Sequence, residues 1–143
     1  MVGGCVMNYT DDNRGVIQFK ERARQLIDFH GLRVGNITPT DSDGEIEYHD
    51  KAWIFIEIKY NDATMGIGQQ TAFTRKVDDI TKGGKKAVLF VASHTVDNPL
   101  EDIDAAACIV KQFYYKKHWY DGDGSDLKAY VNRFIGMVDG IAA

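Results

Sequence analysis

The segment Ala52–Tyr60, which reads Ala-Trp-Ile-Phe-Ile-Glu-Ile-Lys-Tyr, constrains the fold more strongly than any other part of this chain. It is rich in aromatic and β-branched residues, which is typical of a strand in the interior of a sheet. Because side chains alternate between the two faces of a strand, its three isoleucines share one face. The other face carries two aromatic rings followed by Glu57 and Lys59. We therefore predict a core strand whose second face ends in a charged pair.

A short polar turn, His49-Asp50-Lys51, predicts that this strand forms a hairpin with a preceding strand, Glu45–Tyr48. If Tyr48 pairs with Ala52, then Asp43 lies opposite Glu57, and Asp41 lies opposite Lys59. Side chains directly opposed in an antiparallel pair have Cβ atoms roughly 4.5–5.5 Å apart. A slip of one residue would instead move Asp43 to the other face.

Two carboxylates this close repel each other unless a cation lies between them, and oxygen ligands suit Mg²⁺ or Mn²⁺ better than zinc. We therefore predict a metal site formed by Asp43, Glu57 and the backbone carbonyl of Ile58. The chemistry that fits is metal-assisted hydrolysis of a phosphodiester. Lys59 would orient or help to deprotonate the attacking water and would stabilise charge on the phosphate.

The rest of the chain reads as alternating helices and strands, which predicts an α/β domain with a mixed sheet flanked by helices. We expect residues 1–12 to be a flexible N-terminus and residues 13–143 to form a single domain. The predicted elements outside the hairpin are a helix at Asn13–Phe29, a weak strand at Leu32–Ile37, a helix at Gly66–Lys82, a buried strand at Ala87–Ala92, a strand at Ile109–Trp119 and a helix at Asp126–Val138. The pattern of Ile109–Trp119 is also compatible with a helix.

Composition constrains the compartment and the partner. The chain has no apolar run near the roughly 20 residues that span a membrane, and its N-terminus has no secretory pattern. Cys5 and Cys108 form no CxxC pair, so a zinc site is unsupported, and both read as reduced thiols of the cytoplasm. The net charge of −4 counts mildly against nucleic-acid binding, although the local field matters more than the total.

The run from Thr38 to Glu47, followed by the hairpin and by Ile54–Lys59, resembles the PD-(D/E)XK nuclease superfamily, and small phage and prophage-type members in particular. The resemblance covers about two thirds of the chain. It implies a restriction-endonuclease-like α-β-β-β-α-β core over residues 13–92, followed by a C-terminal strand and helix. It also implies Mg²⁺-dependent hydrolysis of DNA in the cytoplasm of a bacterial or phage-infected cell. The literal Pro-Asp dipeptide is absent, because Thr40 separates Pro39 from Asp41.

The resemblance also assigns residues. The first family acid falls on Asp43, with Asp41 as its rival, and the acid-x-Lys motif falls on Glu57 and Lys59. The glutamine that many relatives carry on the next helix falls on Gln69 or, one step further, on Gln70. Some relatives add an acid from the first helix, for which Glu21 is the candidate. The four cysteines of the iron–sulfur branch are absent.

DNA is the expected partner, and the candidate contacts are basic residues that lie on the second helix or beside aromatic residues: Arg75, Lys76, Lys116 and Lys117. The aromatic residues could equally cover a core edge. The resemblance also allows a homo-oligomer, because resolvases and restriction-type members cut two strands as dimers. It leaves open whether the enzyme is an exonuclease, an endonuclease or a resolvase.

Three other readings stay open. The fold could be a catalytically degenerate nuclease domain that binds DNA or a protein without cutting. Glu57 and Lys59 could form an ordinary charge pair at an exposed strand end. The domain could also be an unrelated α/β fold with a chance match, which Asp43 and Glu57 on opposite sheet faces would favour.

Overall fold

A computed structural model describes residues 27–141, and contacts within the chain divide it into two units after Pro39. In the first unit, a 3-10 turn spans His30–Leu32, and Val34 and Ile37 form an isolated bridge. The prediction of a strand at Leu32–Ile37 is therefore wrong. The physical reason is a tight turn at Gly35, whose φ of +60° favours glycine and folds this segment back on itself.

Part of the predicted first helix lies outside the described residues, as do the predicted flexible N-terminus and Glu21. Residues 27–29, at the end of that predicted helix, are not helical.

The second unit contains a five-stranded mixed sheet in which the strands lie side by side in chain order. Strands β2 and β3 are parallel and the other neighbours are antiparallel. The strands are β1 (Gly44–Tyr48), β2 (Ala52–Tyr60), β3 (Lys86–His94), β4 (Ile109–Tyr115) and β5 (His118–Asp121), and the helices are α1 (Ile67–Lys82) and α2 (Leu127–Val138).

The helix boundaries follow from their flanking residues. Gly84, with a φ of +99°, lies just beyond α1, where glycine commonly ends a helix. Asp126 is the N-cap of α2, and its side chain accepts a hydrogen bond from the N–H of Ala129 at 2.9 Å. Each helix thus starts one residue later than its pattern predicts. Within residues 27–141, neither helix has the length and apolar character needed to cross a membrane.

The core has two layers, one on each face of the sheet. Phe73 and Val77 of α1 pack with Phe55 of β2 on one face. Tyr130 and Phe134 of α2 pack with residues of the opposite face, which include Ile54, Phe90 and Val110. The general prediction of an α/β domain with a mixed sheet flanked by helices is therefore confirmed.

The C-terminal part of the sheet differs from the prediction of a single strand over Ile109–Trp119. The chain turns at Lys116 and Lys117, whose φ values are +48° and +66°, so that this stretch forms the hairpin of β4 and β5. Such two-residue turns favour Asn and Gly, and the absence of those residues hid the turn. In the second unit the element order is therefore β-β-α-β-β-β-α.

Candidate active site

The β1–β2 hairpin has the register that the sequence predicts, with Tyr48 paired with Ala52. The ladder ends where Gly44 pairs with Ile56, and β2 continues beyond that point to Tyr60. Beyond the ladder, the side chain of Asp43 replaces the backbone as the partner of β2. Its Oδ2 atom accepts a hydrogen bond from the backbone N–H of Ile58 at 2.7 Å. Since the N–H and C=O groups of a strand residue point to the same side, the Ile58 carbonyl also points to the Asp43 side.

Glu57 is the chemically unusual residue of this region, because its carboxyl group is buried. Its side chain is only 2% exposed, and among residues 27–141 only Glu57 and Ser93 are buried polar residues. Burial is the largest cause of a rise in the pKa of Glu57 to about 8, and the hydrogen bond and the negative charge of Asp43 add to that rise. The ammonium of Lys59 acts in the opposite direction but does not cancel these effects.

Gln69 joins the two members of the acid-x-Lys pair. Its Nε2 atom donates a hydrogen bond to Oε2 of Glu57 at 2.5 Å, and its Oε1 atom accepts one from Nζ of Lys59 at 3.1 Å. The same Nε2 atom lies 3.4 Å from the carbonyl oxygen of Asp41. Because Gln69 is the third residue of α1, the start of this helix lies beside the end of the hairpin.

The structure thus brings together Asp43, Glu57, Lys59 and Gln69, which are the four residues predicted to be catalytic. The side chain of Asp41 is exposed, and its charge contributes a smaller part of the rise in the Glu57 pKa. The structure also distinguishes between the two glutamine candidates. The side chain of Gln70 is exposed, and its backbone N–H donates the helical hydrogen bond to the carbonyl of Gly66. Because Asp43 and Glu57 are close enough to interact directly, they do not lie on opposite faces of the sheet.

The donor set can be tested against the metal that the sequence predicts. Within residues 27–141, no three His, Cys, Asp or Glu side chains are grouped so that they could hold a metal ion by themselves. Asp43 and Glu57 offer two carboxylates instead, together with the Ile58 carbonyl. Mg²⁺ commonly uses one or two carboxylates and retains several waters. The buried Glu57 carboxyl also lacks a direct cationic partner within 4.0 Å in the described chain, which fits a bound cation.

The basic residues predicted to contact DNA divide into two groups. Arg75, Lys116 and Lys117 line one cleft of about 460 Å³, which Lys82 also lines. Lys76 instead lies 3.8 Å from the carboxylate of Glu45, and 4.9 Å above the ring of Phe55. The cleft therefore brings together residues that lie about 40 positions apart in the sequence. Lys76 instead contacts Glu45 and Phe55 of the sheet.

Sequence reasoning missed the buried Ser93, which pairs with Lys59 across β2 and β3. No motif marks this serine, and only the parallel register brings it to the site.

Comparisons with known proteins give no independent assignment, since no family model, curated protein or solved structure matches the chain.

Proposed function

We propose that this chain is a divalent-metal-dependent nuclease of the PD-(D/E)XK type, with a restriction-endonuclease-like core, that hydrolyses phosphodiester bonds of DNA. The observation that carries the proposal is the buried carboxyl group of Glu57, which interacts with Asp43 and Gln69 and lies two residues from Lys59. Burying a carboxyl group beside a second one is unfavourable for both charges. A cation that binds both would offset that cost.

Asp43, Glu57 and the Ile58 carbonyl would hold Mg²⁺ or Mn²⁺ at the open end of the hairpin. Such a cation, when bound, supplies Lewis acidity toward the phosphate and increases the acidity of coordinated water. Asp43 is already oriented by the N–H of Ile58. Glu57 is oriented by Gln69, so both carboxylates are fixed by neighbours before any cation arrives.

Lys59 and Gln69 would act on the substrate side of this site. The Lys59 ammonium would stabilise negative charge that develops on the phosphate oxygens, and would help to orient the attacking water. Gln69 is a positioning residue, because it holds the Lys59 ammonium with its carbonyl oxygen and the Glu57 carboxyl with its amide nitrogen. Arg75, Lys116 and Lys117 would contact the phosphate backbone from their own cleft, where Asp78 and Asp79 offset part of their charge.

The function is tested by incubating the purified chain with linear, circular, single-stranded and branched DNA, and with RNA, in Mg²⁺, Mn²⁺ or chelator. We expect cleavage of DNA that requires the divalent ion and stops with chelator. The pattern of circular and branched substrates would separate an exonuclease from an endonuclease or a resolvase. DNA binding without cleavage in either ion would instead support the degenerate binding module, and neither binding nor cleavage would contradict both proposals.

The role of Gln69 gives a prediction with a neighbouring control. Gln69→Ala should lower cleavage about 10- to 100-fold, the range found when residues that orient metal ligands are replaced. Gln70→Ala should leave the rate unchanged, because the Gln70 side chain is exposed and its neighbour occupies the site. Initial cleavage rates at saturating Mg²⁺ measure both variants. Equal losses in the two variants would contradict the positioning role of Gln69.

A further inference from the structure

A second, smaller cleft of about 240 Å³ lies directly beside the proposed catalytic lysine. Lys59 lines it on one side, and Lys111 and Gln112 of β4 line it on another. The buried hydroxyl-bearing residue Ser93 and the exposed Thr64 also line the cleft. Pockets for drug-sized molecules are usually about 300–1,000 Å³, so this cleft suits a smaller group.

Lys111 reaches this cleft because β4 contains a β-bulge. Val91 pairs with Gln112, and the next residue, Ala92, pairs with Val110, so Lys111 is the extra residue between two paired ones. Bulges of this kind redirect a side chain and are common beside active sites. Regular alternation along β4 would not have predicted Lys111 in the cleft that Lys59 lines.

The bulge is held in place by the connection between β5 and α2. The N–H of Gly122 donates a hydrogen bond to the carbonyl of Lys111 at 2.8 Å, and the N–H of Val110 donates to Ser125 at 3.2 Å. A Cβ atom at Gly122 would lie 2.0 Å from the carbonyl oxygen of Val110, so only glycine allows the two backbones to approach this closely. The backbone that carries Lys111 is therefore fixed by packing.

The charges of the cleft indicate the ligand. Lys59 and Lys111 form no ion pair within 4.0 Å in the described part of the chain, whereas Lys51, Lys76 and Lys85 do. Asp62 also lines the cleft and offsets part of this charge. Two ammonium groups, together with hydroxyl donors, form a suitable environment for a phosphate group.

We propose that the cleft between Lys59 and Lys111 binds a backbone phosphate of the nucleic-acid strand, next to the phosphate that is cut. This inference rests on the proposed function and adds a strand-binding subsite to it. Lys111 would be a substrate-positioning residue, because its bulge places it on the cleft that Lys59 also lines. A phosphate at this position would fix the register of the strand at Asp43 and Glu57.

The test is the salt dependence of DNA binding, measured with a fluorescent short DNA duplex of random sequence in chelator over a series of NaCl concentrations. Lys111→Ala should weaken binding and reduce the slope of log K against log salt by about 0.9, the contribution of one phosphate contact. Lys111→Arg retains the charge and should restore the slope. Lys128→Ala is the matched control, since Lys128 is an exposed lysine on α2, which packs on the opposite face of the sheet.

Cleavage kinetics in Mg²⁺ provide the second readout, in which Lys111→Ala should raise KM more than it lowers kcat. Cleavage by the wild-type chain with an unchanged salt slope in Lys111→Ala would overturn the subsite and leave the nuclease proposal standing. Binding without cleavage, with the slope reduced in Lys111→Ala, would support the subsite and contradict the nuclease. Absence of both DNA binding and cleavage would overturn both. Thermal melting of each variant, with Lys111→Arg as the conservative substitution, separates a lost contact from a lost fold.

Discussion

Glu57→Gln is expected to lower Mg²⁺-dependent DNA cleavage by at least about a hundred-fold, because even residues that only orient metal ligands cost 10- to 100-fold when replaced. Glutamine keeps the volume of the buried side chain and can still accept the hydrogen bond from Gln69. It removes the negative charge that a divalent cation needs. Cleavage rates over a range of Mg²⁺ concentrations would measure the loss, and circular dichroism would show that the variant folds.

The control for this variant is Glu101→Gln, which makes the same chemical change at an exposed loop position. Its cleavage rate should equal that of the wild-type chain. Cleavage by Glu57→Gln at the wild-type rate would remove Glu57 from the site and, with it, the structural basis of the proposed nuclease.

The free energy of unfolding of the metal-free chain is expected to fall as the pH rises from about 5 to 8. The pKa of Glu57 is raised from 4.5 to about 8 in the folded chain, so over this range the folded chain retains a proton that the unfolded chain has released. Stability from this group is fully present below the unfolded pKa, and is lost as the pH passes through the folded value. Each unit of difference corresponds to about 1.4 kcal/mol, which gives an effect on the order of a few kcal/mol.

Urea unfolding at several pH values, in chelator, measures this dependence. Glu57→Gln should lose it, and should become more stable than the wild-type chain near pH 8. Asp123 does not obscure the comparison, because its pKa is lowered to about 2 and it titrates well below this range. Mg²⁺ or Mn²⁺ should raise the stability of the wild-type chain at pH 8 by mass action, without stabilising Glu57→Gln. Equal pH slopes in the two chains would contradict the shifted pKa.

The sequence predicts the hairpin well, because two independent local signals agree. The alternation of β2 defines its two faces, and the three-residue turn sets Tyr48 opposite Ala52. The same alternation correctly places Glu57 on the face covered by α1. The turn at Lys116 and Lys117 could not be predicted in this way, because the residues that usually mark such turns are absent.

Within the candidate site, sequence patterns identify residue types more readily than contacts. The choice between Gln69 and Gln70 depends on the rotation of α1 relative to the hairpin, which is a tertiary property. The hydrogen bond from Ile58 to Asp43 depends on where the β1–β2 ladder ends. Continued regular pairing would have placed Asp43 opposite Glu57 within the ladder. The position of Lys111 depends on a bulge that leaves no mark in the hydrophobic pattern.

The proposed nuclease requires the carboxyl groups of Asp43 and Glu57 to bind one divalent cation together. Calorimetric titration with Mn²⁺ at pH 7, repeated in two buffers of different ionisation enthalpy, measures both binding and proton release. We expect the wild-type chain to bind Mn²⁺ and to release protons from Glu57, and we expect Glu57→Gln to do neither. Absence of Mn²⁺ binding by the wild-type chain, or equal binding by the variant, would contradict it.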